Sequence, residues 1–379
     1  VPCGSAGGRP VTSSRKAQEE RSSDPDPAVR QAEASVLALI GVGVLALAIG
    51  LWLGDELSHG ELPPGFVDPG IGTNVGLPLS RMIVDLSAIG TVGMLVTGIL
   101  LPRTDGRLGD AARRSLRSAA WLAPVWGVAT VVWLLFYWSD LLAVPVARLP
   151  ASQLLRGTAI SFPEAREFLL SAALALAIGV VASVTRTVWV TVALLLVTGY
   201  NLLPFTTSGH AEHSPVIGYA LTAHVIALAL WIGGLTGLLV HARSSPALLA
   251  VAVPRFSALA LACYVAVGAS GVTMGWLNLG SLAELWSSRY GLLVLCLLTA
   301  QVALGVFGWW HRRVTVRAVA ERHAPGAFIR LAAAEVVIMV AAVAFGVALS
   351  RVATPATGAA AENPRPHVVA HQVQAISAI

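Results

Sequence analysis

The sequence predicts an all-α protein, a polytopic bundle of about nine transmembrane helices. Three observations carry that prediction. Of 379 residues, 56% are hydrophobic and only 12% charged, and the mean hydropathy is +0.74. A soluble globular chain has roughly a quarter charged residues and under half apolar ones. Apolar runs long enough to cross about 30 Å of hydrocarbon, about 20 residues each, recur from end to end. The basic residues fall in the short segments between those runs, and nearly all are Arg, with Lys16 the one Lys. This pattern excludes a soluble enzyme. It also excludes a nucleic-acid partner, because the net charge of +5 sits at helix ends, where it orients spans in a bilayer. Cys3, Cys263 and Cys296 are far apart, two of them inside apolar runs, so no disulfide framework is implied.

Taken in order, the first 33 residues are polar and rich in Ser and Pro, and read as a disordered cytoplasmic tail. The expected spans are about 34–54, 81–102, 118–138, 167–184, 187–205, 215–240, 256–277, 290–310 and 328–350, with a polar outer tail over 352–379. Orientation follows from the basic residues. With the N-terminus inside, the inner segments hold 18 of the 25, including Arg103, Arg107, Arg113, Arg114, Arg117, Arg243, Arg255, Arg312 and Arg313. The first outer loop has Asp55, Glu56, Glu61 and Asp68 and no Lys or Arg. The expected topology is N-terminus inside and C-terminus outside, with Trp52, Trp138, Trp276 and Trp286 in the outer aromatic belt and Trp189, Trp309 and Trp310 in the inner one.

Polar groups within spans are costly, which makes each a candidate for function. Asp85 is expected about one turn into span 2 from the outer side. His210, Glu212 and His213 precede Ser214-Pro215, an N-cap and first helical position, and so stand at the outer mouth of span 6. His224 follows nine residues later, roughly 14 Å deeper at 1.5 Å per residue. Met274 lies near the outer end of span 7 and Cys296 one to two turns into span 8; Gln301, Cys263, Met339 and Glu335 lie deeper. Imidazole, thioether and thiolate suit copper better than magnesium or calcium. The plain alternatives stand beside this reading: a hydrogen-bonding His224 between helices, packing roles for the Met and Cys residues, and a Glu335–Arg330 pair. Gly233-x-x-x-Gly237 and Gly271-x-x-x-Gly275 are small-residue faces that would let spans 6 and 7 approach closely. A membrane di-haem protein needs paired His on facing helices, and His224 is the one His well inside a span.

The run from Gly209 to Gly237, with His224 followed by Trp231-Ile232-Gly233-Gly234, resembles the copper resistance D (CopD) family of inner-membrane proteins. Arg255-Phe256-Ser257 at span 7, Tyr290-Gly291 at span 8, and Arg330 with Glu335 at the last span extend the likeness over about 209–351. The segment from Arg81 to Leu108 looks like the longer actinobacterial form, which continues into a cytochrome c oxidase assembly domain, and on that basis 34–351 is the copper-handling membrane domain. The resemblance implies copper as the bound or transported ion and the inner membrane as the location. A periplasmic copper-binding protein or cytochrome c oxidase would be its partner. The expected activity is a permease moving copper inward and not an enzyme. His210 and His213 would capture the ion and His224 pass it at midplane, with Met274 and Asp85 as further metal-site residues. The alternative is a copper chaperone for oxidase assembly without transport. No phosphate-binding loop is present to couple ATP.

Overall fold

The structure is a computed structural model that describes residues 27–54, 69–149, 163–207, 215–243, 245–310, 313 and 325–355. Among the described residues nine helices are long and apolar enough to span a membrane, so the protein is an all-α, multi-pass membrane bundle. They are α1 (Pro27–Leu53), α2 (Ile71–Leu100), α3 (Asp110–Leu141), α4 (Pro163–Val184), α5 (Val188–Tyr200, whose apolar span continues to Thr206), α6 (Pro215–His241), α7 (Pro246–Asn278), α8 (Arg289–Trp310) and α9 (Pro325–Leu349). Five of them open on Pro, whose fixed φ and missing N–H suit the first turn. At α7 the Ser245 hydroxyl also accepts from the Leu248 amide, which caps the helix.

Four helices start well before their expected spans. α1 starts at Pro27, within the segment expected as a disordered tail, α2 at Ile71 and not near Arg81, α3 at Asp110, and α7 at Pro246. Pro78, Pro124 and Pro254 lie within these helices. The stretch from Ile71 to Ser80, with Gly, Asn and Pro, had read as loop. Burial of Thr73, Leu77, Pro78 and Ser80 overrides that local preference. The consequence reaches the site: Asp85 lies at the middle of α2, and Arg81 lies inside a helix.

By contact the chain divides into Val1–Val42 and Gly43–Ile379, and the packing described here is that of the second unit. Consecutive helices alternate in direction. Arg255, in the third turn of α7, donates to the Leu100 carbonyl at the end of α2, and Ser118 near the start of α3 meets His241 at the end of α6. At that same end a small antiparallel hairpin, β1 (Arg103–Thr104) and β2 (Arg107–Leu108), closes the α2–α3 turn. Asp105 and Gly106 at its tip both take positive φ, 49° and 74°. The hairpin bridges onward to Thr187, and Leu108 and Val188 exchange backbone bonds with Arg186 and Gly106. At the opposite end Arg351 pairs with Asp140 at 3.0 Å and Thr73 with Ser139 at 2.6 Å.

The core centres on α2, α3, α4 and α6. Trp126, Trp133 and Trp138 are buried there, so Trp138 is a core residue and not part of the outer belt. Trp52, Trp189, Trp276, Trp286, Trp309 and Trp310 are exposed, as belt residues must be. α2 and α6 approach each other backbone to backbone. A Cβ built on Gly233 would stand 2.7 Å from Gly93 Cα, and one on Gly237 would run into the Thr97 side chain. The Gly233–Gly237 face therefore serves α2, where the sequence had suggested span 7. Direct backbone approach of this kind is what small residues permit in a membrane. A second cluster joins Ala46, Leu47 and Leu51 of α1 to Ala344, Val347 and Ala348 of α9, with Met82 between them.

Candidate functional site

Two polar centres lie at one level of the bundle, on opposite sides of α6. Their common depth follows from helix register. α2 and α6 run in the same direction with Gly93 against Gly233 and Thr97 against Gly237, so Asp85 is level with Val225, next to His224.

The first centre is His224 against α7. Its Nδ1 lies 2.9 Å from Ser270 Oγ. The Ser270 hydroxyl itself sits 2.6 Å from the Ala266 carbonyl and 3.1 Å from that of Val267, and its single proton goes to one of these. With that proton on a backbone carbonyl, Ser270 Oγ accepts from His224, the assignment that puts the ring proton on Nδ1 and the lone pair on Nε2. That is the tautomer a metal-ligating imidazole needs, with the other nitrogen held by a fixed partner. Gly271 lies against the same ring: a Cβ there would be 3.7 Å from His224 Cε1. Two turns deeper, Trp231 packs edge-on to Tyr264 of α7 with ring centres 5.7 Å apart. These two contacts fix α6 and α7 as antiparallel neighbours, with Met274 one turn from Ser270 towards the Pro215 end. On α8, Gln301 donates to the Tyr264 carbonyl, and this register sets Cys296 at about the level of Ser270.

The second centre is the Arg81–Asp85 pair on α2. Arg81 Nε donates to both carboxylate oxygens, at 3.1 and 3.3 Å. The guanidinium carbon lies 5.5 Å from the centre of the Trp133 ring and 5.0 Å from that of Phe205. Trp133, Phe168 and Phe205 form an aromatic cluster of their own. Guanidinium over an aromatic face is worth about 0.5–2 kcal/mol, more where water is scarce. Next to Phe205, the Thr206 hydroxyl bonds that of Thr222 at 2.8 Å, which ties this centre to α6 two residues before His224.

The five residues expected at a metal site thus divide. His210 and His213 lie outside the described residues, in the segment that joins Thr207 to Pro215. His224 and Met274 belong to the α6–α7 face. Asp85 is held by Arg81 on the other side of α6, and the structure does not bring it to His224. Glu335 and Met339 are buried on α9. Among the described residues no three His, Cys, Asp or Glu side chains converge as a metal cage. Sequence reasoning missed Ser270 and the Arg81 box. Ser270 is an ordinary residue of an apolar run, and its one signal is its place one turn before Met274. Arg81 was hidden by the misplaced start of α2.

Residues 250–349 match a family model described as Copper resistance protein D. The match covers α7, α8 and α9, including Ser270, Met274, Cys296 and Glu335, and begins after the Gly209–Gly237 run. No curated protein matches this chain, and no solved structure does. Over α7 to α9 the chain is thus similar to a copper-related membrane family, and the nine apolar helices among its described residues are those of a multi-pass membrane protein.

Proposed function

We propose that this CopD-region protein is a copper permease of the cytoplasmic membrane, a carrier and not an enzyme, with its N-terminus inside. Copper is its cargo. His210 and His213 capture the ion at the outer mouth, and the ion descends between α6 and α7 past Met274 to His224. The observation that carries the reading is the His224–Ser270 pair, which presents an Nε2 lone pair deep in α6 beside the family region. Imidazole and thioether are donors suited to copper. A path of few ligands also fits transport, because an ion held too well at one depth does not leave it. Inward movement follows from the placement of the paired His at the outer end. Asp85 has no place on this path.

Delivery to an oxidase without transport is the competing reading, and the absence of a three-ligand cage among the described residues fits a protein that binds only at its mouth. Sealed proteoliposomes separate the two. Copper flux into vesicles carrying the purified protein supports the permease, and binding without flux overturns it in favour of the chaperone.

Two expected outcomes follow. The double variant His210→Ala/His213→Ala loses most copper binding in titration calorimetry, and unchanged affinity would reject the outer site. Protons compete with metal for neutral imidazole, so wild-type affinity falls as pH drops through about 6.5, the ordinary His value. For the deeper site, Ser270→Ala frees His224 Nδ1 to lose its proton. Removing such a supporting partner typically costs 10–100-fold in metal affinity or activity. A copper flux lowered by about that factor, with nitrogen NMR showing the His224 proton moved to Nε2, is the expected result. An unmoved proton would refute the role of Ser270.

A further inference from the structure

The α7–α8 pair touches only sparsely. Between the two helices lies a groove of about 460 Å³, lined by Tyr264, Val302, Gly305, Val306 and Trp309. Val302, Val306 and Trp309 are more than half exposed, and α8 is the least enclosed span, with 17% of its apolar stretch buried against 61% in α2. An apolar groove in hydrocarbon needs no partner beyond ordinary lipid, but two polar features here ask for more. The Tyr264 hydroxyl rests against Gly305, where any Cβ would collide with it, and among the described residues it has no hydrogen-bond partner. In a medium without water, an unmet hydroxyl is costly. One turn past Gly305 stands Trp309, and the Arg313 guanidinium carbon lies 4.7 Å from the centre of its ring. Arg313 thus folds back over the mouth of the groove, about 6 Å along the helix from the level of Tyr264 at 1.5 Å per residue. Arg312, Arg317 and Arg322 lie near it in sequence, against the single acid Glu321.

We propose that this groove is a binding site for an anionic phospholipid. One acyl chain lies along Val302 and Val306, an ester carbonyl near the glycerol accepts from the Tyr264 hydroxyl, and the phosphate sits at the Arg313 guanidinium. The one-turn separation of the two polar groups matches the short glycerol unit between ester and phosphate. Basic pockets between transmembrane helices are a recurrent setting for acidic lipid head groups. Gly305 keeps the floor of the groove open, and Trp309 forms its wall at the interface, where aromatic rings favour the head-group level. The site stands apart from the copper reading: Tyr264 also packs on Trp231, two turns from His224, but Ser270 and Gly271, which lie against the His224 ring, do not line the groove.

Native mass spectrometry of the purified full chain tests it, with phosphatidylglycerol and phosphatidylcholine of identical acyl chains as probes. The wild type is expected to retain phosphatidylglycerol about fivefold more than phosphatidylcholine, the ratio equivalent to about 1 kcal/mol per basic residue at a membrane surface. Arg313→Gln should reduce that preference to near unity. Tyr264→Phe should lower retention of both lipids and keep the preference. Equal retention of the two lipids by the wild type overturns the proposal, as does a preference that survives Arg313→Gln. Lipid retention unchanged in Tyr264→Phe removes the ester contact and with it the assigned pose. Thermal unfolding in lipid-free detergent, equal for the three proteins, shows that the differences are in binding.

Discussion

Gly233→Ala is expected to destabilise the bundle by about 1–3 kcal/mol, the usual cost of forcing extra volume into a filled site. The methyl group would meet the Ile89 carbonyl and the backbone of Gly93, and neither can swing aside as a flexible side chain would. Relief requires α2 and α6 to separate, which loosens the core contacts of Val92 and Val96 with Ala229 as well. Gly275→Ala is the matched control: the same change in a helix, with nothing within 4 Å of the new atom. Alanine is the better helix former by about 1 kcal/mol, so the control should be neutral or slightly stabilised. Thermal unfolding in detergent, followed by size exclusion, reads both. If the two variants unfold at the same temperature, the close crossing of α2 and α6 is wrong.

His224→Gln is expected to lower copper flux in proteoliposomes by more than tenfold while the protein inserts and unfolds as the wild type does. Glutamine can still donate to Ser270, so a helix-bridging role for His224 would survive the change. It offers no imidazole nitrogen, so a ligand role would not. Flux at the wild-type level in well-folded His224→Gln vesicles would reject the ligand and confine copper to the outer His pair.

Much of the architecture was legible because a bilayer writes its demands plainly into sequence. Each span must be apolar and about 20 residues long, and each flank shows its side by charge. What escaped was whatever tertiary contact decides. The first turns of α2 contain Gly, Asn and Pro, residues that locally favour a turn, and burial against α3 makes them helical. Expecting that start at 81 put Arg81 at a helix end and Asp85 one turn from a mouth, and so hid the pair that they form near the middle of α2. Gly233 and Gly237 announced a close crossing, but no pattern on one helix names its partner, and α2 proved to be the neighbour. Trp138 illustrates the same limit from the other side: at the end of a span a tryptophan can face lipid or core. His224 was visible as a lone imidazole in an apolar run. Its serine partner is 46 residues away and became visible only when α6 and α7 were laid side by side.

The β1–β2 hairpin bears on how such a chain is made. Its outer rungs are supplied by Arg186 and Val188, which leave the ribosome some eighty residues after the hairpin itself. During synthesis the α2–α3 turn therefore stays incomplete until α4 has crossed the bilayer and brought its connection to α5 to the same side. Failure of α4 to insert, or fusion of α4 and α5 into one long misread span, would leave those backbone groups unmet. Closure of the hairpin is thus a late event in biogenesis that records whether the preceding helices were threaded in the right sense.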